Sequence, residues 1–118
     1  MLSTKDKGTL IQIGKRCERI LDKTQNINKD VFDHSDDLKE VICFNLFQIG
    51  ELAHNLSKDF TNDYNGIPWK QIINMRNKIV HGYVTVEFDV VWNTAINDIP
   101  ALKDYCKKIL NENQTISS

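Results

Sequence analysis

Apolar residues recur along this chain at spacings of three and four, and this helical period limits the possible folds more than any other feature. Few glycines or prolines interrupt it, five and two respectively among 118 residues. We find no internal repeat and no low-complexity segment. Most connections between the predicted helices are short, so we predict an all-α fold, an antiparallel bundle of four to five helices.

The residues that start and stop helices divide this pattern into four predicted helices. The first begins near Ser3, which is spaced to cap the backbone of Asp6. The third begins at Pro68, whose missing N–H costs nothing in a first turn, and Thr85 is the predicted N-cap of the fourth. The stripe of the fourth continues in phase across Pro100, so we expect a kinked last helix. The other predicted boundaries are an irregular segment over 24–35, a second helix over about 35–58, a loop over 60–66, an end of the third helix at 81 and a frayed tail over 111–118.

Length and composition fit a single domain spanning residues 1–118, with 41% hydrophobic and 26% charged residues. No apolar run approaches ~18 residues and the N-terminus lacks a signal-peptide pattern, so we expect a cytoplasmic protein that does not enter a membrane. Cys17, Cys43 and Cys106 are far apart in sequence and form no C-x-x-C pair. We expect reduced, buried thiols rather than a disulfide or a zinc site.

The net charge of −1 argues against simple electrostatic attraction to nucleic acid, but the charge is unevenly distributed. Residues 1–24 carry a net charge of +3, residues 25–66 carry −5 and residues 67–118 carry +1. A polyanion could therefore be bound by the first and third sections and not by the middle one.

The second predicted helix is apolar over an unusually wide arc. One side carries most of its aliphatic residues, and Cys43, Phe44 and Phe47 lie on the other. Such a helix needs two packing partners, so we expect the rest of the chain on one side and a second copy of the chain on the other. Asn45 lies inside the first arc and, if buried, requires a hydrogen-bond partner.

The third predicted helix places an arginine where a core residue is expected. Arg76 falls in the middle of an apolar stripe, and a buried guanidinium needs a carboxylate, a backbone terminus or a phosphate as its partner. Asn77 and His81 are spaced i, i+4 on the flank beside it. Gly82 fits the residue that ends the helix, and Tyr83 follows directly.

The site combines an arginine with a histidine and has no cluster of carboxylates or of Cys and His residues. Such a set suits phosphodiester cleavage without a metal or other cofactor. RNA supplies its own nucleophile, the 2′-hydroxyl, so the protein has only to move protons and stabilise charge. His81 could act as acid or base near neutral pH, and Arg76 could bind the phosphate oxygens bidentately. Asn77 could assist. A symmetric dimer would bring two such histidines together.

Each of these residues also has a structural interpretation. Arg76 could simply be neutralised by Glu51. His81 could be a helix C-terminal residue favoured by the dipole, and Tyr83 could be a core aromatic. It is the combination at one helix end that favours a functional role.

The string Arg76-x4-His81-x-Tyr83 resembles the R-x4-H-x-Y signature of the HepT-like family, in the superfamily of HEPN helical domains. Further segments resemble the same family, and together they cover essentially all of residues 5–110. They are the stretch N-x-x-x-I-G-E at 45–51, the run I-P-W at 67–69 with M-R-N at 75–77, and V-V-W at 90–92 with D-I-P-x-L at 98–102.

This resemblance implies a dimeric HEPN fold that acts as the toxin of a toxin–antitoxin system. It implies a metal-independent endoribonuclease with Arg76 and His81 as catalytic residues and Asn77 in support. The implied partner is a minimal nucleotidyltransferase antitoxin that uses ATP to AMPylate Tyr83. The alternative hypothesis is a non-catalytic protein that binds a nucleotide or docks such a nucleotidyltransferase.

Overall fold

The computed structural model describes residues 2–80 and 86–114, and these residues form a bundle of helices without strands. The long elements are α1, α3, α5 and a final helix made of three continuous segments; two short helices lie in the connections. Their bounds are α1 Thr4–Thr24, α2 Lys29–Asp33, α3 Asp36–His54, α4 Lys58–Asp63, α5 Trp69–Val80, α6 Phe88–Asn93, a π-helical segment Thr94–Asp98 and α7 Ile99–Gln114. The all-α prediction is confirmed.

Helix α3 is the centre of the bundle, because it packs against α5 on one side and against α1 on the other. Helix α1 in turn packs against α7. Along α1 the apolar residues at spacings of three and four are fully buried, as the period predicted. The core residues contributed by α1 are Leu10, Ile13, Cys17 and Ile20.

Polar side chains start four of the helices by accepting a backbone N–H of the first turn, which otherwise lacks a partner. Ser3 accepts from the Asp6 N–H at 3.0 Å, as predicted. Ser35 accepts from the Leu38 N–H at 3.2 Å. The same arrangement begins the two short helices, through Asn28 in α2 and Ser57 in α4.

Two predicted boundaries are wrong at the C-terminal end of α3. The helix ends at His54 instead of continuing to Lys58, and α4, which runs Lys58–Asp63, takes up the first half of the predicted loop over 60–66. The reason is a long-range contact: the Asp6 carboxylate accepts hydrogen bonds from the N–H and the hydroxyl of Ser57 at 3.0 and 2.7 Å. This fixes Ser57 as the N-cap of a new helix whose Phe60 is 4% exposed.

The segment over 24–35 also contains a helix that was not predicted. Its α2 turn buries Phe32 completely against the aromatic rings of Phe88 and Trp92, at centroid distances of 6.4 and 5.2 Å.

The final helix begins at Phe88 with Glu87 at the N-cap position, later than the predicted cap at Thr85, which itself lies outside the described residues. The helix does continue across Pro100. The backbone adapts to the proline through the π-helical segment directly before it, in which the Ile99 N–H donates to the Thr94 carbonyl five residues back. Helix α7 extends to Gln114, into the region 111–118 that we expected to fray.

The predicted burial of the three cysteines is confirmed, since Cys17, Cys43 and Cys106 are free thiols no more than 1% exposed. Among the described residues, the helices lack the length and apolar character that crossing a membrane would require.

Candidate active site

The predicted site lies where α3 and α5 cross, and Gly50 makes their close approach possible. A Cβ on Gly50 would lie 2.9 Å from the Arg76 Cβ, 3.2 Å from the Ile72 carbonyl oxygen and 3.3 Å from the Arg76 backbone nitrogen. A larger residue would therefore separate the two backbones. The sequence resemblance included this glycine without indicating its role, which is to let α5 lie directly on α3.

Arg76 is positioned by this contact and is paired with Glu51, the residue that follows Gly50. The Arg76 Nη1 donates to the Glu51 Oε1 at 3.1 Å. The side chains are 22% and 45% exposed, so the ion pair lies at the surface edge of the α3–α5 contact and water reaches it. The predicted pairing of Arg76 with Glu51 is thus confirmed, and the arginine side chain stays partly exposed.

The apolar stripe on α5 on which Arg76 was placed is largely confirmed. Trp69 is buried, and its indole N–H donates to the Tyr64 carbonyl at 2.6 Å. Ile72 and Ile73 are partly buried against the core. The arginine therefore lies on the apolar face of α5, as the helical projection predicted, and the structure shows that this face packs against α3.

Asn77 is exposed, one residue beyond Arg76 on α5. It also contributes to the lining of a cavity of about 480 Å³ between α5 and α6, whose other lining residues include Met75, Lys78 and Val90. The structure thus describes the positions of Arg76 and Asn77. His81 and Tyr83 lie outside the described residues, and their roles stay predictions.

A second polar contact of α3 involves Asn45, six residues before Glu51. Asn45 is 3% exposed, and its amide donates to the Val41 carbonyl at 2.8 Å while its oxygen accepts from the Arg16 Nη1 at 3.2 Å. The predicted requirement for a partner is therefore met within the chain. The Arg16 guanidinium also lies over the ring of Phe44, 5.5 Å from its centroid.

The second side of the α3 arc is only partly exposed. Cys43 is 1% exposed and Phe47 is half-buried, whereas Phe44 is 53% exposed. Packing within the chain therefore accounts for Cys43. Phe44 is the residue of this side that stays exposed, and Val41, on the aliphatic side of the helix, is 36% exposed.

Comparison with known proteins identifies the family. The sequence model described as "Ribonuclease HepT-like" matches residues 13–109. The chain belongs to this family. The helical HEPN fold of this family agrees with the bundle described above.

Relatives of this HepT-like chain carry ribonuclease names. "Putative RNase TTE0752" of Caldanaerobacter subterraneus subsp. tengcongensis is 32% identical over 103 residues, which is 87% of this chain and 92% of the relative. "Putative RNase MJ1216" of Methanocaldococcus jannaschii is 31% identical over 106 residues, covering 90% and 88%. "Probable ribonuclease HepT" of Thermococcus cleftensis is 39% identical over 61 residues, covering 52% and 56%. No solved structure matches the chain significantly.

Proposed function

We propose that this HepT-like protein is a metal-independent endoribonuclease, the toxin of a toxin–antitoxin pair, with Arg76 and His81 as its catalytic residues. The observation that carries the proposal is the partly exposed Arg76 side chain, held against α3 by Glu51 in a chain whose family is named for ribonuclease activity. A guanidinium offers five N–H donors in a fixed plane, and the Glu51 contact uses Nη1.

The partly exposed ion pair suits phosphate binding. Glu51 holds the arginine in one orientation, which reduces the entropy lost when a substrate binds. Because Glu51 is itself 45% exposed, a phosphate can share the guanidinium without burying an unpaired carboxylate. Arg76 would then stabilise the negative charge that develops on the non-bridging oxygens.

His81 follows the last described residue of α5 directly and stands five residues after Arg76. In this proposal its imidazole moves the proton of the 2′-hydroxyl or of the leaving 5′-oxygen, and Asn77 donates a further hydrogen bond to the phosphate. A complete cycle needs an acid and a base. A homodimer would provide them as two copies of His81, one from each protomer.

We further propose that a minimal nucleotidyltransferase neutralises the protein, either by binding it or by transferring AMP from ATP to Tyr83. Tyr83 stands two residues after His81 in sequence. A nucleotide attached there would add bulk and negative charge close to the phosphate-binding arginine, and both would oppose the binding of RNA.

The direct test is cleavage of total RNA by the purified protein in EDTA. We expect His81→Ala to lower the rate at least 100-fold, since a general acid or base typically contributes that much, and Arg76→Ala to lower it comparably. His34→Ala and Lys70→Ala are matched controls, because both residues are exposed and neither belongs to the proposed site; they keep the wild-type rate. Circular dichroism and sedimentation establish that each variant keeps its fold and assembly.

Cleavage at the wild-type rate by folded His81→Ala would contradict the catalytic assignment. If the wild-type protein cuts no RNA but a minimal nucleotidyltransferase adds AMP to it and not to Tyr83→Phe, the alternative of a non-catalytic docking partner is correct.

A further inference from the structure

The cavity between α5 and α6 has two apolar walls. Met75 and Ile79 of α5 form one wall, and Val90 and Val91 of α6 form the other. Its volume of about 480 Å³ lies within the range of about 300–1,000 Å³ that is usual for sites that bind small molecules. The two helices therefore leave an apolar slot between them that is large enough for one nucleobase.

Polar side chains complete the lining of this cavity. Asn77, Lys78 and Glu87 are exposed, so they lie where the cavity meets solvent. Thr94 also lines the cavity, but its hydroxyl already donates to the Val90 carbonyl at 2.8 Å. Apolar walls with a few polar groups that fix the orientation of the ligand are typical of small-molecule sites.

Glu87 has a carboxylate that the following helix does not use. The residue stands at the N-cap position, where a side chain commonly accepts a backbone N–H of the first turn. The Glu87 side chain forms no such capping hydrogen bond, so its oxygens remain acceptors at the mouth of the cavity. A carboxylate accepts hydrogen bonds and donates none. It therefore favours a ligand that presents an N–H group.

Asn77 connects the cavity to the proposed active site. It lines the cavity and follows Arg76 directly on α5, and both residues are proposed above to contact the scissile phosphate. Ile79, in the wall of the cavity, is three residues after Arg76, about 4.5 Å along the helix axis. A nucleotide whose phosphate is bound at Arg76 thus has this cavity beside it for its base.

We propose that the cavity binds an unpaired RNA base next to the scissile phosphate, and that Glu87 selects a base with an amino group. The faces of the base lie against the apolar walls, and its polar edge meets the carboxylate. Proteins commonly read unpaired RNA bases through hydrogen bonds to their edges. Cytosine presents an amino group from which a glutamate accepts, whereas uracil presents an oxygen at the same position. This inference rests on the proposed ribonuclease function, for which it names the base preference.

The preference does not depend on the net charge around the cavity. Lys78 and Glu87 carry opposite charges at its mouth, and Asp89, two residues further along α6, is paired with Lys29 at 2.7 Å. The phosphate charge is assigned to Arg76. A carboxylate near a nucleic-acid backbone lowers the affinity for every sequence alike. Base recognition is therefore measured by the ratio of two affinities rather than by either affinity alone.

A second copy of the chain is the competing occupant of this cavity. A neighbouring cavity of about 420 Å³ shares Met75 and Val90 with the first and extends the apolar lining along α5. A helix of a second protomer laid over both would remove water from the Glu87 carboxylate and the Lys78 ammonium, which is costly without polar partners. A base supplies both donors and acceptors, so the polar mouth favours the base.

The test is equilibrium binding of two 2′-O-methyl RNA hexamers, one of cytosine and one of uracil, to the full chain. The methyl group blocks the 2′-hydroxyl, so binding is measured even if the protein cuts no RNA. We expect the cytosine hexamer to bind about 5- to 10-fold more tightly, the effect of one hydrogen bond to a base edge. In Glu87→Gln we expect the ratio to fall to about 1, because an amide accepts from cytosine and donates to uracil.

Asp89→Asn is the matched control for Glu87→Gln. It removes the same charge from a side chain of α6 that is 78% exposed, and we expect it to change both affinities and to keep their ratio. Val90→Met extends a wall residue into the cavity, and we expect it to weaken binding of the cytosine hexamer about 10-fold. Val31→Met makes the same change at the same 45% exposure on α2 and leaves binding at the wild-type value.

Equal affinity of the wild-type protein for the two hexamers, or no binding of either, would overturn the inference even if the protein cuts RNA. An unchanged ratio in folded Glu87→Gln would overturn it as well. So would a Val90→Met protein that loses its dimer by sedimentation and keeps the ratio, since that result would assign the cavity to a second copy. Preference for cytosine in a protein that cuts no RNA would support the base site and contradict the proposed ribonuclease function.

Discussion

Replacing Gly50 with alanine tests whether the close crossing of α3 and α5 depends on the missing side chain. Nonbonded carbon atoms normally lie about 3.5–4.0 Å apart, whereas the new Cβ would lie 2.9 Å from the Arg76 Cβ. The deficit is roughly 0.6–1.1 Å. Two of the three nearest atoms belong to the α5 backbone, so side-chain rotation cannot relieve the contact.

The magnitude follows from two opposing terms. Alanine in a helix interior gains about 0.5–1 kcal/mol over glycine, and overpacking of a tight contact typically costs about 1–3 kcal/mol. Because backbone atoms must move here, we expect the overpacking term to dominate, and Gly50→Ala to lower the free energy of unfolding by about 1–2 kcal/mol.

Gly8→Ala provides the matched control, since a Cβ at Gly8 has no neighbour within 4 Å and the residue is exposed in α1. In Gly8→Ala only the higher helix propensity of alanine acts, so we expect this substitution to raise the free energy of unfolding by about 0.5–1 kcal/mol. Urea unfolding followed by circular dichroism measures both variants, and the difference between them isolates the packing term. Equal stabilisation by the two substitutions would refute the argument that Gly50 sets the distance between the helices.

Two further predictions concern ionisable groups. Burial alone would raise the pKa of Asp6, but its hydrogen bonds from Ser57 and Ser3 hold it below the ordinary 3.8; the stabilisation is therefore present above that pH and is lost as pH falls below it. We expect Asp6→Asn to lower the free energy of unfolding by roughly 1.5–3 kcal/mol at pH 7 and by a progressively smaller amount below pH ~4. Urea unfolding at each pH measures the difference between the variant and the wild type. A difference that does not change with pH would contradict this account. Burial raises the pKa of Cys17 and Cys106 to about 12 and that of Cys43 to about 11. At pH 8 we expect all three thiols to react with a disulfide reagent at least about 100-fold more slowly in the native protein than in denaturant, and fast native labelling of any of them would show that it is accessible.

The sequence predicted the features that depend on local pattern. The helical period identified the buried face of α1 and the position of Arg76 on the apolar face of α5, and the capping pattern identified Ser3. It also predicted that Asn45 would need a partner, and it named Glu51 as a partner for Arg76. Each of these follows from residues within one helix or from a charge that must be neutralised.

The features that could not be predicted depend on contacts between distant residues. The end of α3 and the start of α4 are set by Asp6, which is 51 positions from Ser57 in sequence. The sequence did not predict the contact of Arg16 with Phe44, because the two residues meet only when α1 packs against α3. Similarly, the role of Gly50 is visible only once the atoms of α5 are placed beside it.

The π-helical segment Thr94–Asp98 has a consequence for how the length of this chain can vary. A turn closed between residues five apart encloses one residue more than an α-helical turn. The helix on either side still directs Val91 and Leu102 into the same core. Loss of one residue within the segment would tighten that turn into ordinary α-helix. The buried side of α7 would then keep its direction towards the core, so the final helix can lose a residue here without turning that side towards solvent.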